Sequence, residues 1–174
     1  TDPTEQESLP TEDPTEPPEP PKEHKELWDA MVDQVLANTE VLENYIRKEY
    51  PKFPIISSTT KRMTDMDSLK DELTKDYHLV VLDYDLNHDE AVLKTLEPYA
   101  DKLEILVNEI CYPGCKMRKE HYRSESLSQL EFEMRSDFKC PNKATPRVFK
   151  ECMDRPAFIS NEQIGAYIDR GYVN

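Results

Sequence analysis

Residues 77–83 read YHLVVLD, and this stretch decides the fold class. Its apolar residues are consecutive and lack the alternation of polar and apolar positions that a half-exposed strand shows. A strand with such a pattern is covered on both faces, as in a parallel sheet flanked by helices. We therefore predict an α/β domain organised around this strand.

Strands and helices alternate on both sides of it. Further strands are predicted over 53–59 (FPIISST) and 102–108 (KLEILVN), and helices over 64–76 and 88–100. This order, with connections of that length, predicts parallel strands. A complete (β/α) barrel needs about 250 residues. We therefore expect a partial (β/α) barrel or a small parallel-sheet domain.

The N-terminal region differs from the rest of the chain. Residues 1–23 hold seven of the fourteen prolines, and eight acidic residues against one lysine. Such a composition predicts a disordered Pro/Glu-rich tail, which could tether the protein or dock it to another. Residues 24–50 carry apolar side chains at three- and four-residue steps and predict an N-terminal helix.

The predicted α/β domain spans 24–174, with βα repeats over 53–174. Residues 172–174 (YVN) open a further strand, so we expect this domain to be truncated at its C-terminus.

Charge and hydropathy limit the classes of partner. The net charge of −14 and the pI of about 4.7 argue against strong DNA binding, which needs clustered Lys and Arg. No apolar run approaches the roughly 20 residues of a membrane span, and no signal peptide is visible. We expect a cytoplasmic protein with no membrane partner, and a small molecule or RNA as a candidate substrate.

Polar residues follow the predicted strands, where functional groups collect in parallel α/β folds. Asp83 ends the central strand, and Asn108 and Glu109 end the next one. We predict that these three side chains line a binding pocket. The loop 56–62 (ISSTTKR) is either a plain polar loop or an anion contact through its hydroxyls and Lys61 or Arg62.

Cysteines are the strongest chemical signal. Cys111 and Cys115 bracket a Tyr-Pro-Gly turn in the loop after the strand over 102–108. A helix over 117–134 is predicted to run down the outside of the sheet, and an extended segment then returns Cys140 to the rim. Cys152 or His121 would be the fourth ligand.

Three thiolates suit a [4Fe–4S] cluster with one open iron, or a zinc site that another ligand completes. Disulfides and chemically inert thiols are the alternatives. The fold class and the lack of a signal peptide favour a reducing cytosol, where metal or cluster binding is the commoner use of cysteine. No general base is identifiable, so the catalytic residues, and whether the protein is an enzyme, stay open.

The strands PIISST, LVVLD and LEILVNEICYPGC, followed by RKEHY and a later FKCP, resemble the U32 collagenase-like peptidase family over roughly residues 53–174. The resemblance implies an iron–sulfur (β/α) barrel with a role in modifying RNA or small molecules. The Cys111–Cys115 pair is also similar to that of radical-SAM barrels. Their C-x₃-C-x₂-C motif would place a third cysteine where Arg118 stands.

The sequence therefore supports two hypotheses. The first is an iron–sulfur-binding barrel-type protein of the U32-like type. The second is a non-catalytic α/β interaction module with structural zinc or no metal.

Overall fold

The structure is a computed structural model that describes residues 34–109, 111–132, 138–140, 154 and 157–174. These residues belong to one compact unit, Gln34–Asn174. The predicted tail over 1–23 and the cysteine at position 152 lie outside the described residues.

Four parallel strands form one sheet in the order in which they occur along the chain. They are β1 (Val35–Ala37), β2 (Ile55–Ser57), β3 (Leu79–Val81) and β4 (Leu103–Glu104). Val35 pairs with Ile55 in β2, and Val80 in β3 pairs with Leu103 in β4. The α/β class and the parallel sheet are thus confirmed.

Helices connect successive strands, and each begins where a side chain caps the first backbone N–H groups. They are α1 (Glu40–Glu49), α2 (Met66–Thr74) and α3 (Glu90–Leu96). Their N-caps are Thr39, Asp65 and Asp89. Short 3₁₀ helices at Thr59–Lys61, Tyr84–Leu86 and Glu97–Lys102 complete the connections.

The main core lies between one face of the sheet and these three helices. Ile46 of α1, Leu69 of α2 and Leu93 of α3 are buried in the same cluster as Ile55 and Val80 of the sheet. The alternate strand positions face the other way, because successive side chains of a strand point to opposite faces.

On that second face, Ile56, Leu79 and Val81 are buried in a separate cluster, against which Leu106 packs.

Two further helices follow β4: α4 (Arg118–Glu131) and α5 (Asn161–Ile168). Residues 157–160 pass antiparallel to the chain after β4, where Asn108 and Phe158 form a bridge. Residues 172–174, predicted to open a strand, are not assigned to one, but they lie beside the chain after β4, where the Ile105 N–H donates to the Asn174 carbonyl at 3.1 Å.

One sequence-based element is wrong. The region predicted as a single helix over 24–50 contains strand β1 at Val35–Ala37, and its helix begins only at Glu40. Parallel pairing with Ile55–Ser57 overrides the helical spacing of the apolar residues. Ala37 is completely buried as a result.

A charged network is buried between the sheet and helices α1 and α2. The Lys61 ammonium donates to Glu43 at 2.6 Å, to Glu72 at 2.7 Å and to the Tyr77 hydroxyl at 3.0 Å. Ser57 at the end of β2 donates to the same Glu72 oxygen at 2.5 Å. The network therefore joins both helices to the β2 end of the sheet.

This pairing sets the ionisation of its members. Burial would lower the pKa of Lys61, but its hydrogen bonds to Glu43, Glu72 and Tyr77 outweigh burial and raise it. Burial would likewise raise the pKa of Glu72, but hydrogen bonds from Lys61, Lys75 and Ser57 lower it to about 2. Both groups are charged at neutral pH.

We expect Glu72→Gln to destabilise the protein at neutral pH and to lose this penalty in acid. The folded-state pKa of about 2 lies below the ordinary value of 4.5, so the carboxylate stabilises the fold above about pH 4.5. That contribution is lost as the pH falls toward 2. Urea unfolding should show the free-energy difference between wild type and variant shrinking by up to about 3 kcal/mol from pH 6 to pH 2.

Asp71→Asn is the matched control, because Asp71 lies on the same helix and pairs with Lys75 at 3.2 Å but is 71% exposed. It should change the unfolding free energy by less than about 0.5 kcal/mol at any of these pH values. Equal effects of the two substitutions would contradict the buried network.

Candidate functional site

The carboxyl edge of the sheet gathers buried charges at the end of β3. Asp83 is 1% exposed there, and its Oδ1 accepts hydrogen bonds from Arg62 Nη1 at 2.8 Å and from the Asp85 N–H at 3.0 Å. Arg62 Nη2 donates to Asp85 at 2.5 Å. Burial raises the pKa of Asp83, while the Asp85 N–H and Arg62 oppose that rise.

Arg118, the first residue of α4, packs against the same group. Its guanidinium carbon lies 4.2 Å from the centre of the Tyr84 ring, and that of Arg62 lies 5.1 Å from it. Arg118 also donates to the Tyr112 carbonyl at 2.8 Å. Two cations thus share one aromatic ring, an arrangement stabilised by the ring and by the carboxylate of Asp83.

Several buried polar atoms at this edge have no hydrogen-bond partner within the described part of the chain. They are Asp83 Oδ2, Tyr84 Oη, Asn87 Oδ1 and Arg118 Nε. Asp83 Oδ2 still lies 2.7 Å from Arg62 Nη1 as an ion pair. Buried polar atoms of this kind are uncommon and mark sites where a ligand or water is bound.

The cysteine loop, residues 111–117, is fixed to this cluster by polar contacts. The Cys111 N–H donates to the Glu109 carboxylate at 2.6 Å, and the Gly114 N–H donates to Asp85 Oδ1 at 2.9 Å. Gly114 has a φ of +64°, which favours glycine over any other residue. The turn between the two cysteines is therefore held against Asp85.

Helix α4 lies across the carboxyl edge, and the prediction that it runs down the outside of the sheet is wrong. It forms one wall of a cleft of about 510 Å³, which we call the α4 cleft; its lining is Asn38, Thr60, Lys61, Lys119, Tyr122, Arg123 and Ser126. Asn38 follows β1 and Thr60 follows β2, so α4 reaches the ends of both strands. The contacts of Arg118 with the Tyr84 ring and the Tyr112 carbonyl hold the first turn of the helix at this edge.

The segment 138–140 returns to the start of α4. The rings of Phe138 and His121 are stacked, with centroids 4.7 Å apart and planes 3° from parallel. Phe138 is two residues from Cys140, and His121 is six residues from Cys115. Both Cys115 and Cys140 are half-buried thiols outside any disulfide.

No preformed metal site exists in the described ranges, because they contain no group of three His, Cys, Asp or Glu side chains placed to hold an ion. His121 Nε2 instead lies 3.3 Å from Glu125 Oε1. The candidate ligand Cys152 lies outside those ranges. The predicted ligand set thus stays a prediction. Cys111 and Cys115 lie on one loop, and Cys140 lies on the segment 138–140.

The three residues predicted to line a pocket have different surroundings. Asp83 is in the buried charged cluster, and Glu109 borders it, with Oε2 lying 3.8 Å from Arg118. Asn108 is exposed and contributes its backbone to the bridge with Phe158.

Sequence reasoning missed Arg118, Tyr84 and Tyr122. The sequence does carry a signal for the buried network of Lys61. Its partners Glu43 and Glu72 stand on the apolar faces of amphipathic helices, where a charged side chain needs a partner. No comparable signal marks Arg118, which is flanked by other basic residues at the start of a polar helix.

Comparison with known proteins gave no match, whether against protein-family models, curated proteins or solved structures. Among the helices in the described ranges, none is both long and apolar enough to cross a membrane.

We expect Asp85→Ala to release the cysteine loop, because it removes the acceptor of the Gly114 N–H and one partner of Arg62. Hydrogen–deuterium exchange in 111–117 should be about tenfold faster, the effect of losing one such bond. Asp89→Ala is the control, since Asp89 caps α3 by accepting from the Ala91 and Val92 N–H groups. It should speed exchange at the start of α3 alone; unchanged protection of 111–117 in Asp85→Ala would contradict the anchor.

Proposed function

We propose that the chain is a partial (β/α) barrel of the U32-like type that binds a [4Fe–4S] cluster through cysteine thiolates at its carboxyl edge. RNA or a small molecule would be the substrate class that such a cluster serves. Zinc is the alternative metal for the same thiolates. The observation that carries the proposal is the position of Cys111 and Cys115 on a loop held at this edge by Asp85.

The sheet supports the barrel part of the proposal. Four consecutive parallel strands follow one another without a reversal of order, whereas a doubly wound sheet reverses its order at a switch point. The three connecting helices pack in one cluster on one face of the sheet. In a barrel the opposite face points inward and is filled by branched apolar side chains, and here that face carries Ile56, Leu79 and Val81.

One contact supports thiolate ligands at this position. The Phe138–His121 stack brings the segment of Cys140 to the first turns of the helix that follows Cys115. Cys152 or His121 would complete the set.

The described thiols do not form a ready ligand group, so the proposal requires the ligand segments to close around the metal when it binds. Coupling between metal binding and local folding is common, because the ligands are brought together only by the ion or cluster. When bound, a [4Fe–4S] cluster would supply one-electron redox chemistry or an open iron for a ligand. Asp83 and Glu109 would then line the pocket beside it.

The second candidate is a non-catalytic α/β interaction module with structural zinc or no metal. Measuring the iron, sulfide and zinc content of the protein separates the two candidates.

We expect anaerobic reconstitution with iron and sulfide to give brown protein that holds about four irons and four acid-labile sulfides per chain. Cys111→Ser and Cys115→Ser should each lose most of this content, and Cys140→Ser should lower it. His78→Ala is the control and should leave this content unchanged, because His78 is exposed and lies before β3, at the opposite edge of the sheet.

Colourless protein that holds one zinc tightly would instead support zinc as the metal that these thiolates bind. Wild-type protein that binds neither metal, with a melting temperature unchanged by Cys111→Ser and Cys140→Ser, would contradict both metal proposals.

A further inference from the structure

The α4 cleft is a cationic depression on an acidic protein. Its lining includes Lys119 and Arg123 but no Asp or Glu from the described residues, whereas the chain as a whole has a net charge of −14. Lys119 and Arg123 are four residues apart on one face of α4 and are both exposed. Like charges at this spacing repel each other, so this face is stabilised when an anion binds between them.

The third cation of the lining is already neutralised. The Lys61 ammonium contacts both Glu43 and Glu72, so its charge is already paired. By contrast, Lys119 and Arg123 have no ion-pair partner in the part of the chain that the structure describes. The available positive charge of the cleft therefore comes from α4.

Tyr122 supplies a directed donor to the same space. Its hydroxyl oxygen accepts a hydrogen bond from Arg118 Nη1 at 3.4 Å, which leaves the hydroxyl proton available to a ligand. The lining also offers the Asn38 amide and the Ser126 hydroxyl.

We propose that the α4 cleft binds the phosphate group of a small phosphorylated molecule, with Lys119 and Arg123 as charge partners and Tyr122 as a hydrogen-bond donor. Charge-assisted bonds of this kind are the strong contacts of phosphate sites. The volume of about 510 Å³ suits a ligand of small-molecule size. Two cations in a depression do not form the long basic stripe that tracks a nucleic-acid backbone.

The site needs none of the cysteines, so this inference stands apart from the cluster proposal. The loop after β2 also contributes to the cleft, because Thr60 is one of the lining residues. The carboxyl edge of a parallel sheet is where ligands of α/β folds bind.

Isothermal titration calorimetry with inorganic pyrophosphate at constant ionic strength tests the proposal. The wild-type protein should bind one equivalent, and the double substitution Lys119→Gln and Arg123→Gln should weaken binding at least about tenfold. Tyr122→Phe should weaken it by a smaller factor. Both charged residues are exposed, so the double variant should keep the wild-type melting temperature.

Lys70→Gln combined with Lys94→Gln is the matched control, because it removes two exposed cations of α2 and α3 outside the cleft. It should leave the affinity within about twofold of wild type. Equal weakening by both double variants would show a nonspecific charge effect and overturn the site. Absence of wild-type binding up to about 1 mM pyrophosphate, or tighter binding of a single-stranded RNA oligonucleotide through the same residues, would also overturn it.

Discussion

The buried ion pair between Arg62 and Asp83 is the contact on which the carboxyl edge of the sheet depends. Arg62 adopts a left-handed conformation with a φ of +60°, which costs an ordinary residue roughly 1–2 kcal/mol. The pair with Asp83 and the hydrogen bond to Asp85 offset that cost. The Arg62 guanidinium thus links the loop after β2 to the loop after β3. Asp85 extends this link to the loop after β4, because it also accepts the Gly114 N–H.

Two consecutive residues after β2 thus organise two separate charged networks. Lys61 reaches the helix-covered side of the sheet and pairs with Glu43 and Glu72. Arg62 reaches the carboxyl edge and pairs with Asp83 and Asp85. A buried charge is tolerated only when it is paired, so each side chain fixes where the neighbouring helices and loops can lie. The connection between β2 and α2 therefore joins the core to the candidate site.

The sequence predicted most reliably what depends on local pattern. The strands predicted at 53–59, 77–83 and 102–108 are confirmed, because runs of apolar residues separate amphipathic helices. Asp83 lies at the carboxyl edge because strand ends of a parallel sheet share one edge, and its role in binding stays a prediction. The β1 strand was missed because its three residues carry no strand pattern apart from the partner that pairs with them. The direction of α4 was missed for a similar reason, since it follows from the contacts of Arg118 with Tyr84 and Tyr112.

A four-stranded parallel sheet, a loop with two cysteines and a cationic cleft meet at one edge, and we propose that thiolates of this edge bind a metal or cluster. X-ray absorption at the iron and zinc edges of the anaerobically purified chain tests this proposal. We expect stoichiometric metal with three or four sulfur neighbours at about 2.3 Å. Metal surrounded by nitrogen and oxygen alone, or no stoichiometric metal, would contradict it.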